Sequence, residues 1–129
     1  MADRRIELGD AELEVLRVLW EEGPCTVRQV LRHLHDAGRR VAYTTVLTFL
    51  TRLEQKGLAA SDKTGIAYVY RATVSQDKIR RSRLRELVSQ LYDGEAAPLV
   101  LQLMKSQKFT KQELAVLRKL IKELDSKAR

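Results

Sequence analysis

The stretch AYTTVLTFLTRLEQKG, residues 42–57, predicts the helix around which the rest of the chain is organised. At about 100° per residue, one side of this helix is apolar and typical of a core stripe. That side contains Val46, Phe49, Leu50 and Leu53, with Tyr43 and Leu47 at its margin. The opposite arc is polar and has no acidic residue; it contains Thr44, Thr45, Thr48, Thr51, Arg52, Gln55 and Lys56.

Four threonines on the exposed arc of a helix are unexpected, because threonine is a poor helix former and surface positions favour better ones. Threonine does offer a hydroxyl group for phosphates or base edges and a methyl group for thymine, while arginine and glutamine make bidentate contacts with bases. The arc therefore predicts a recognition helix for the DNA major groove. An ordinary amphipathic helix with a polar outer face is the alternative, and this helix alone does not separate the two.

Composition narrows the class of protein. The chain has 129 residues, a formal net charge of +7 and one cysteine, Cys25, which excludes an internal disulfide and a multi-cysteine metal site. No stretch approaches the ~18 apolar residues of a membrane span. The first twelve residues lack the apolar segment of a signal peptide. We therefore expect a cytoplasmic protein that does not insert into a membrane.

Charge is distributed unevenly along the chain. Residues 1–27 have a net charge of −4, residues 28–74 of +5 and residues 75–129 of +6. Phosphate would repel the first segment and attract the second, which contains the predicted recognition helix. Five cationic residues of this second segment, outside the helix, are further candidates for DNA contact: Arg28, Arg39, Arg40, Lys63 and Arg71.

Two helices are predicted before the recognition helix. The first covers residues 10–22, with Asp10 as its N-cap, and ends at a Gly-Pro pair. The second begins with a capping box formed by Thr26 and Gln29 and ends at Gly38.

Beyond the recognition helix the pattern changes to alternation. Residues 58–63 and 67–72 predict two strands joined by a turn at 64–66. Three helices followed by a hairpin form a winged helix-turn-helix, and we assign it to residues 1–74. In this arrangement Arg39 and Arg40 precede the recognition helix, while Lys63 and Arg71 lie on the wing.

Residues 75–129 predict a tail of three helices. Ser75 caps the first, which runs to about residue 92, and a second capping box at Thr110 opens the last. Between them, residues 96–105 are apolar nearly all round, so this short helix should be buried on several sides. A second copy of the chain would supply the missing cover, through Leu84, Leu87, Leu91, Leu99, Leu103, Leu117, Leu120 and Leu124.

Several short patterns along the chain occur in a specific order: LEVLRVLW at 13–20, GP at 23–24, TV at 26–27, YTTV at 43–46, Leu53, KG at 56–57 and YVY at 68–70. Together they resemble the penicillinase-repressor (BlaI/MecI) family over essentially the whole chain. The resemblance implies a typically bacterial homodimeric repressor whose winged-helix domains bind palindromic operators with TACA/TGTA-like half-sites and whose tail dimerises. It also implies inactivation by proteolysis in the tail, triggered by a membrane-bound sensor protease that responds to β-lactams.

The resemblance carries over to only some residues. Thr45, Thr48, Thr51 and Arg52 match the family's polar positions on the recognition helix, whereas Thr44 and Gln55 rest on the helical arc alone. The family's Asn-Phe cleavage pair corresponds here to Gln102-Leu103, which is the first candidate proteolytic site. Because the residues differ from the family's pair, the sequence does not decide whether cleavage occurs there, and residues 106–109 are the second candidate. The C-terminal sequence LIKELDSKAR lacks the paired cysteines of the copper-responsive branch, so copper sensing is not expected.

Other classes of function have less support. The chain has no glycine-rich phosphate loop, nucleophile motif or spaced metal-ligand cluster, and His33 and His35 do not share a helix face. We therefore predict no catalytic residue, metal or cofactor. A winged-helix module for protein–protein contact would explain the fold but not the acid-free arc. A ligand-regulated transcription factor is the other alternative, and no appended sensor domain is evident in the sequence.

Overall fold

The computed structural model describes residues 5–128 and confirms a mainly α-helical chain with a small β-sheet. In this range the elements are α1 (Asp10–Glu22), β1 (Cys25–Thr26), α2 (Val27–Asp36), α3 (Tyr43–Gln55), β2 (Ala59–Asp62), β3 (Val69–Ala72), α4 (Gln76–Leu91), α5 (Ala96–Ser106) and α6 (Lys111–Lys127). Residues 1–4, on which the prediction about a signal peptide partly rests, lie outside the described residues. No helix within the described part is long and apolar enough to cross a membrane.

The core lies between α1, α2 and α3. The predicted apolar side of α3 is buried, with Val46, Leu50 and Leu53 fully inaccessible to solvent. Leu16 from α1 and Val30 from α2 are equally buried in the same cluster. The helical period of the sequence therefore gives the correct inward side for α3, which is held against both preceding helices.

Local caps explain where the helices begin. In the predicted capping box of α2, the Gln29 N–H donates to Thr26 Oγ1 at 3.2 Å and the Thr26 N–H donates to Gln29 Oε1 at 2.8 Å. The predicted range of α1 is confirmed, but its predicted N-cap is wrong, because Gly9 is the N-cap and Asp10 is already helical. Glu12 completes this cap by accepting the Gly9 N–H at 3.3 Å.

The wing belongs to a three-stranded antiparallel sheet with the order β1-β3-β2. The predicted hairpin pairs Ala59 with Ala72 and Asp62 with Val69. The third strand, β1, pairs Cys25 with Tyr70 and was not predicted. A strand of two residues is too short to show the alternation of apolar and polar residues by which a sequence indicates a strand.

The chain forms two compact units, one ending at Glu86 and one beginning at Leu87. We call them the winged unit and the tail unit. The predicted division at 74/75 falls twelve residues earlier, at the start of α4. The first half of α4 belongs to the winged unit because Ile79 is buried in its core and the Arg83 guanidinium group donates to the Leu8 carbonyl group.

The tail unit is organised differently. Neither α5 nor α6 contains a buried residue. The middle tail helix is open to solvent in the single chain, in which Leu101 is 59% exposed, and its cover by a second copy stays a prediction. Local order comes from the Thr110 capping box, whose hydroxyl group accepts the Glu113 N–H at 3.1 Å, and from the Tyr92 hydroxyl group, which donates to Gln102 Oε1 at 2.6 Å.

Candidate nucleic-acid interface

A tight turn presents α3 to solvent. The Arg39 N–H donates to the Leu34 carbonyl group at 2.8 Å, which closes the end of α2. Gly38 follows α2 with a φ of 86°, a conformation that favours glycine because it has no Cβ. His35 Nε2 lies 3.0 Å from the Val41 carbonyl oxygen and links the end of α2 to the segment that enters α3. The turn thus holds α2 and α3 in a helix-turn-helix arrangement.

The threonines of α3 are not equivalent. Thr44, Thr48 and Thr51 are exposed, whereas Thr45 is partly buried, so its assignment to the exposed arc needs correction. The Thr48 hydroxyl group donates to the Thr44 carbonyl group at 2.9 Å, and that of Thr51 to the Leu47 carbonyl group at 2.8 Å. Each of these two hydroxyl groups has used its one hydrogen within the helix and can only accept from DNA.

Arg52 and Gln55 are the exposed polar side chains of the last turns of α3. Among the described residues, neither side chain makes an ion pair or hydrogen bond. Glu54, the acidic residue of the helix, accepts a hydrogen bond from the Ser61 hydroxyl group at 2.7 Å at the base of the wing. The exposed arc of α3 is therefore free of acidic side chains, as the sequence indicates.

Lys56, for which a DNA contact is predicted, forms an ion pair within the chain. Its ammonium group lies 2.9 Å from both carboxylate oxygens of Glu12 on α1. Glu12 is buried, and a buried carboxylate that loses its partner is strongly destabilising. Lys56 therefore neutralises Glu12 and holds the end of α3 against α1, so a phosphate would have to compete with Glu12 for the same ammonium group.

Three predicted cationic residues lie on α2 and in the turn before α3. The Arg28 guanidinium group lies over the Tyr43 ring, 5.6 Å from its centre, at the start of α3. Arg39 forms an ion pair with Glu14 at 2.9 Å, and Arg40 lies exposed beside it in the turn. Because an exposed pair of this kind contributes only about 0.2–1 kcal/mol, Arg39 can exchange Glu14 for phosphate at little cost.

The wing presents further cations. Lys63 lies over the Tyr68 ring at 5.6 Å, and Arg71 is exposed on β3. Asp62 shapes the loop by accepting the Thr64 N–H at 2.9 Å and its hydroxyl group at 2.6 Å. These two hydrogen bonds, the side-chain one foremost, lower the pKa of Asp62. The carboxylate of the wing is thereby engaged within its own loop.

Tyr70 connects the wing with α3. Its side chain is buried, and burial foremost raises the pKa of the phenol, as does the charge of Glu54, while the polar Thr51 side chain acts in the opposite direction. Cys25, its partner across the sheet, is also buried, and burial foremost raises the pKa of its thiol. A thiol of this kind is a packing residue and a poor nucleophile. In the described residues, no group of His, Cys, Asp and Glu side chains could hold a metal ion.

Two apolar residues on the exposed face of α3 were not among the predicted site residues. Tyr43 and Leu47, expected at the margin of the core stripe, are 44% and 36% exposed. The signal was present in the helical period, because Leu47 and Thr51 lie only about 40° apart around the helix. The exposed face of α3 thus has an apolar flank on one side of the threonines and Arg52 on the other.

The predicted dimerisation residues lie on exposed apolar faces. Leu84 and Leu91 are 53% and 68% exposed, and Leu99 and Leu117 are half-buried. The remaining predicted residues, Leu87, Leu103, Leu120 and Leu124, are also exposed. The structure adds exposed residues that the prediction did not include: Val100, Leu101, Val116 and Ile121.

The candidate proteolytic residues Gln102 and Leu103 are both exposed in the middle of α5. Residues 106–109 include the C-terminal residue of α5 and the connection to α6, and Phe109 is the partly buried residue of that segment. The two candidate segments thus differ in backbone structure more than in accessibility.

Comparison with known proteins agrees with this geometry. The sequence profile of the family described as "Penicillinase repressor" matches residues 8–123. The penicillinase repressor of Staphylococcus aureus is 24% identical over 127 residues, covering 98% of this chain and 100% of that protein. The transcriptional regulator BlaI of Mycobacterium tuberculosis is 36% identical over 88 residues, covering 67% of this chain and 63% of that protein. The solution structure of the DNA-binding domain of the repressor BlaI matches with a TM-score of 0.50 and 28% identity, covering 58% of this chain and 90% of that domain.

Proposed function

Because this chain belongs to the penicillinase repressor family, we propose that it is a cytoplasmic, DNA-binding transcriptional repressor that acts as a homodimer on a palindromic operator. The observation that carries the proposal is the acid-free exposed face of α3, on which Thr44, Thr48, Thr51, Arg52 and Gln55 are accessible. A helix of this composition, presented by a helix-turn-helix, suits the major groove.

Base and phosphate contacts are divided among the elements of the winged unit. Arg52 and Gln55 offer bidentate hydrogen bonds to base edges. The cations of α2, of the turn before α3 and of the wing, namely Arg28, Arg39, Arg40, Lys63 and Arg71, fix the orientation of the protein through phosphates. Lys56 acts indirectly, by holding the end of α3 against Glu12.

Dimerisation proceeds through the tail unit. Its helices have no buried residue in the single chain, while leucine side chains such as Leu103, Leu120 and Leu124 are about half exposed. Apolar faces of this extent mark interaction surfaces. A second copy of the tail covers them and holds two winged units together, so that each raises the effective concentration of the other at its half-site.

Derepression follows when the tail no longer holds the two winged units together. A cut in the tail by a membrane-bound sensor protease, or by a protease that it activates, releases the operator without altering any residue that contacts DNA. The candidate positions are Gln102-Leu103 in α5 and the segment 106–109. A protease needs extended backbone, so the helix must open locally before it is cut, and the connecting segment is the easier physical target.

The test is selection of sequences from a random pool of duplex DNA by the purified full-length chain, read by electrophoretic mobility shift. We expect enrichment of a palindrome and a complex that contains two chains. Binding to all sequences with equal affinity would contradict the role of α3 in base recognition. Absence of any binding at low salt would contradict the function itself and favour a module for protein–protein contact.

Proteolysis is tested separately. Purified protein is incubated with lysates from β-lactam-induced and uninduced cells of the source organism, and fragments are mapped by mass spectrometry. We expect fragments that end within 102–109 only in the induced lysate. Intact protein in both lysates, with the operator genes nonetheless derepressed, would overturn this mode of regulation and point to a bound ligand.

A further inference from the structure

The first two turns of α3 expose two large apolar side chains. Tyr43 and Leu47 lie four residues apart on one flank of the helix and remain accessible although α3 is otherwise well packed. Recognition helices direct the residues of their N-terminal half at base edges. If α3 enters the major groove as proposed above, this flank lies where direct contact with bases is expected.

The threonines beside Leu47 are not free to donate. Thr48 and Thr51, its neighbours on the helix, have given their hydroxyl hydrogens to backbone carbonyl groups. The donors of this flank lie one turn earlier, where the Arg28 guanidinium group covers the Tyr43 ring. Arg52 lies on the other flank of the helix, about 140° from Leu47 around its axis. Leu47 and the two threonines therefore form a surface of methyl groups and hydroxyl acceptors.

The geometry points to Leu47 as a specificity-determining residue that recognises the C5-methyl group of thymine in the operator half-site. Thymine is the one base that presents an apolar group in the major groove. A leucine side chain over that methyl group distinguishes A·T from G·C and, because only one strand carries the methyl group, also distinguishes A·T from T·A. This inference rests on the proposed function, since it requires α3 in the groove.

The experiment replaces thymine by uracil, which removes the C5-methyl group and leaves the base pair intact. The duplex is the one that the full-length chain selects from a random pool, synthesised with one thymine at a time replaced. The wild-type chain should bind about fourfold more weakly when uracil stands at a position that Leu47 contacts, as expected for one buried methyl group. Leu47→Ala should bind the thymine duplex more weakly and lose nothing further with uracil.

Two matched variants separate contact from general damage. Leu47→Met keeps a large apolar side chain and should keep the sensitivity to uracil. Ile66→Ala removes the fully exposed apolar side chain of the wing and should also keep it. Thermal unfolding of each variant verifies that it is folded. If Leu47→Ala does not fold, Leu47→Gln, which keeps the length of the side chain but ends in a polar group, takes its place and should likewise lose the sensitivity to uracil.

The possible results are distinguishable. A wild-type chain that selects a sequence but tolerates uracil at every position overturns this inference and leaves the proposed function intact. So does Leu47→Ala that remains as sensitive to uracil as the wild-type chain. A chain that selects no sequence from the pool overturns the proposed function, and this inference with it.

Discussion

The winged unit and the tail unit use similar apolar periodicity in different ways. In the winged unit, leucines at helical spacing are sealed from solvent, as Leu50 and Leu53 on α3 show. In the tail unit, leucines at the same kind of spacing remain open, and Leu120 on α6 is 49% exposed. The difference is the number of elements available for packing, because α3 lies against α1, α2 and the sheet within one chain.

An apolar face on a helix therefore shows that another element packs against it, but it does not show whether that element belongs to the same chain. The winged unit supplies its own cover, and we therefore expect it to fold and to recognise DNA as a single chain. For the tail unit we propose cover from a second copy.

Removal of the tail after Glu86 should leave a folded monomer whose affinity for a palindromic operator falls by about 10²–10⁴-fold, because the second half-site no longer binds at high effective concentration. Sedimentation and mobility shift measure the two properties. As a control, truncation after Ala72 also removes Ile79 from the core and should reduce the stability of the fragment. A fragment ending at Glu86 that still sediments as a dimer would refute the assignment of dimerisation to the tail.

The same substitution in each unit should have different consequences. Leu50→Ala should lower the free energy of unfolding by about 2–5 kcal/mol at every protein concentration, because it opens a cavity in a closed core. Leu120→Ala should mainly weaken the dimer, so its thermal midpoint should depend on protein concentration more strongly than that of the wild-type chain. If both variants lost the same free energy of unfolding, and neither loss depended on protein concentration, the tail would have a core of its own.

Lys56→Met should lower the free energy of unfolding by about 3 kcal/mol, because it leaves the buried Glu12 carboxylate without its cationic partner and with only the Gly9 N–H as a donor. Denaturant unfolding measures this loss, and the double variant Glu12→Gln/Lys56→Met should recover most of it. The salt dependence of DNA affinity should be the same for the double variant and the wild-type chain. If the DNA affinity of the double variant depended less on salt than that of the wild-type chain, Lys56 would contact phosphate after all.

Arg52→Ala should weaken binding to the selected operator by about 1–3 kcal/mol and relax the preference at one base pair, as loss of a bidentate base contact predicts. Binding to a series of duplexes, each with one base pair changed, measures both effects. If affinity falls equally for all sequences, Arg52 contacts phosphate instead of a base.

The smallest effect is expected from single lysines. Lys63→Met on the wing should reduce the slope of log affinity against log salt concentration by about 0.9, the value for one phosphate contact. Lys119→Met removes the same charge from the tail unit and should leave the slope unchanged. Equal changes in the two variants would show that net charge, and not a contact of the wing, controls the affinity.

Features encoded within one helical turn were predictable from the sequence. The capping box at Thr26 needs only Gln29 three residues later, and the buried stripe of α3 follows from the period of its apolar residues. In the proposed interface the exposed threonines followed from the same period, whereas Thr45 did not, because its partial burial depends on the elements packed against α3.

Features that depend on distant parts of the chain were not predictable. The partner of Lys56 lies 44 residues away in sequence, so nothing near Lys56 indicates that its ammonium group is engaged. The helical period places Leu47 beside Thr51, but how much of its side chain is exposed depends on where the neighbouring elements end, which the period does not give. Likewise, the inclusion of Ile79 in the winged core places the end of that unit inside α4 and not at the change of pattern before it.

The pairing of β1 with β3 has a consequence for synthesis on the ribosome. Cys25 is translated about 45 residues before Tyr70, its partner in the sheet. At roughly 5–20 residues per second, β1 waits about 2–9 seconds for that partner. During this interval β1 has no strand to pair with, so the Cys25 side chain can be shielded from solvent only by those helices that have already left the ribosome.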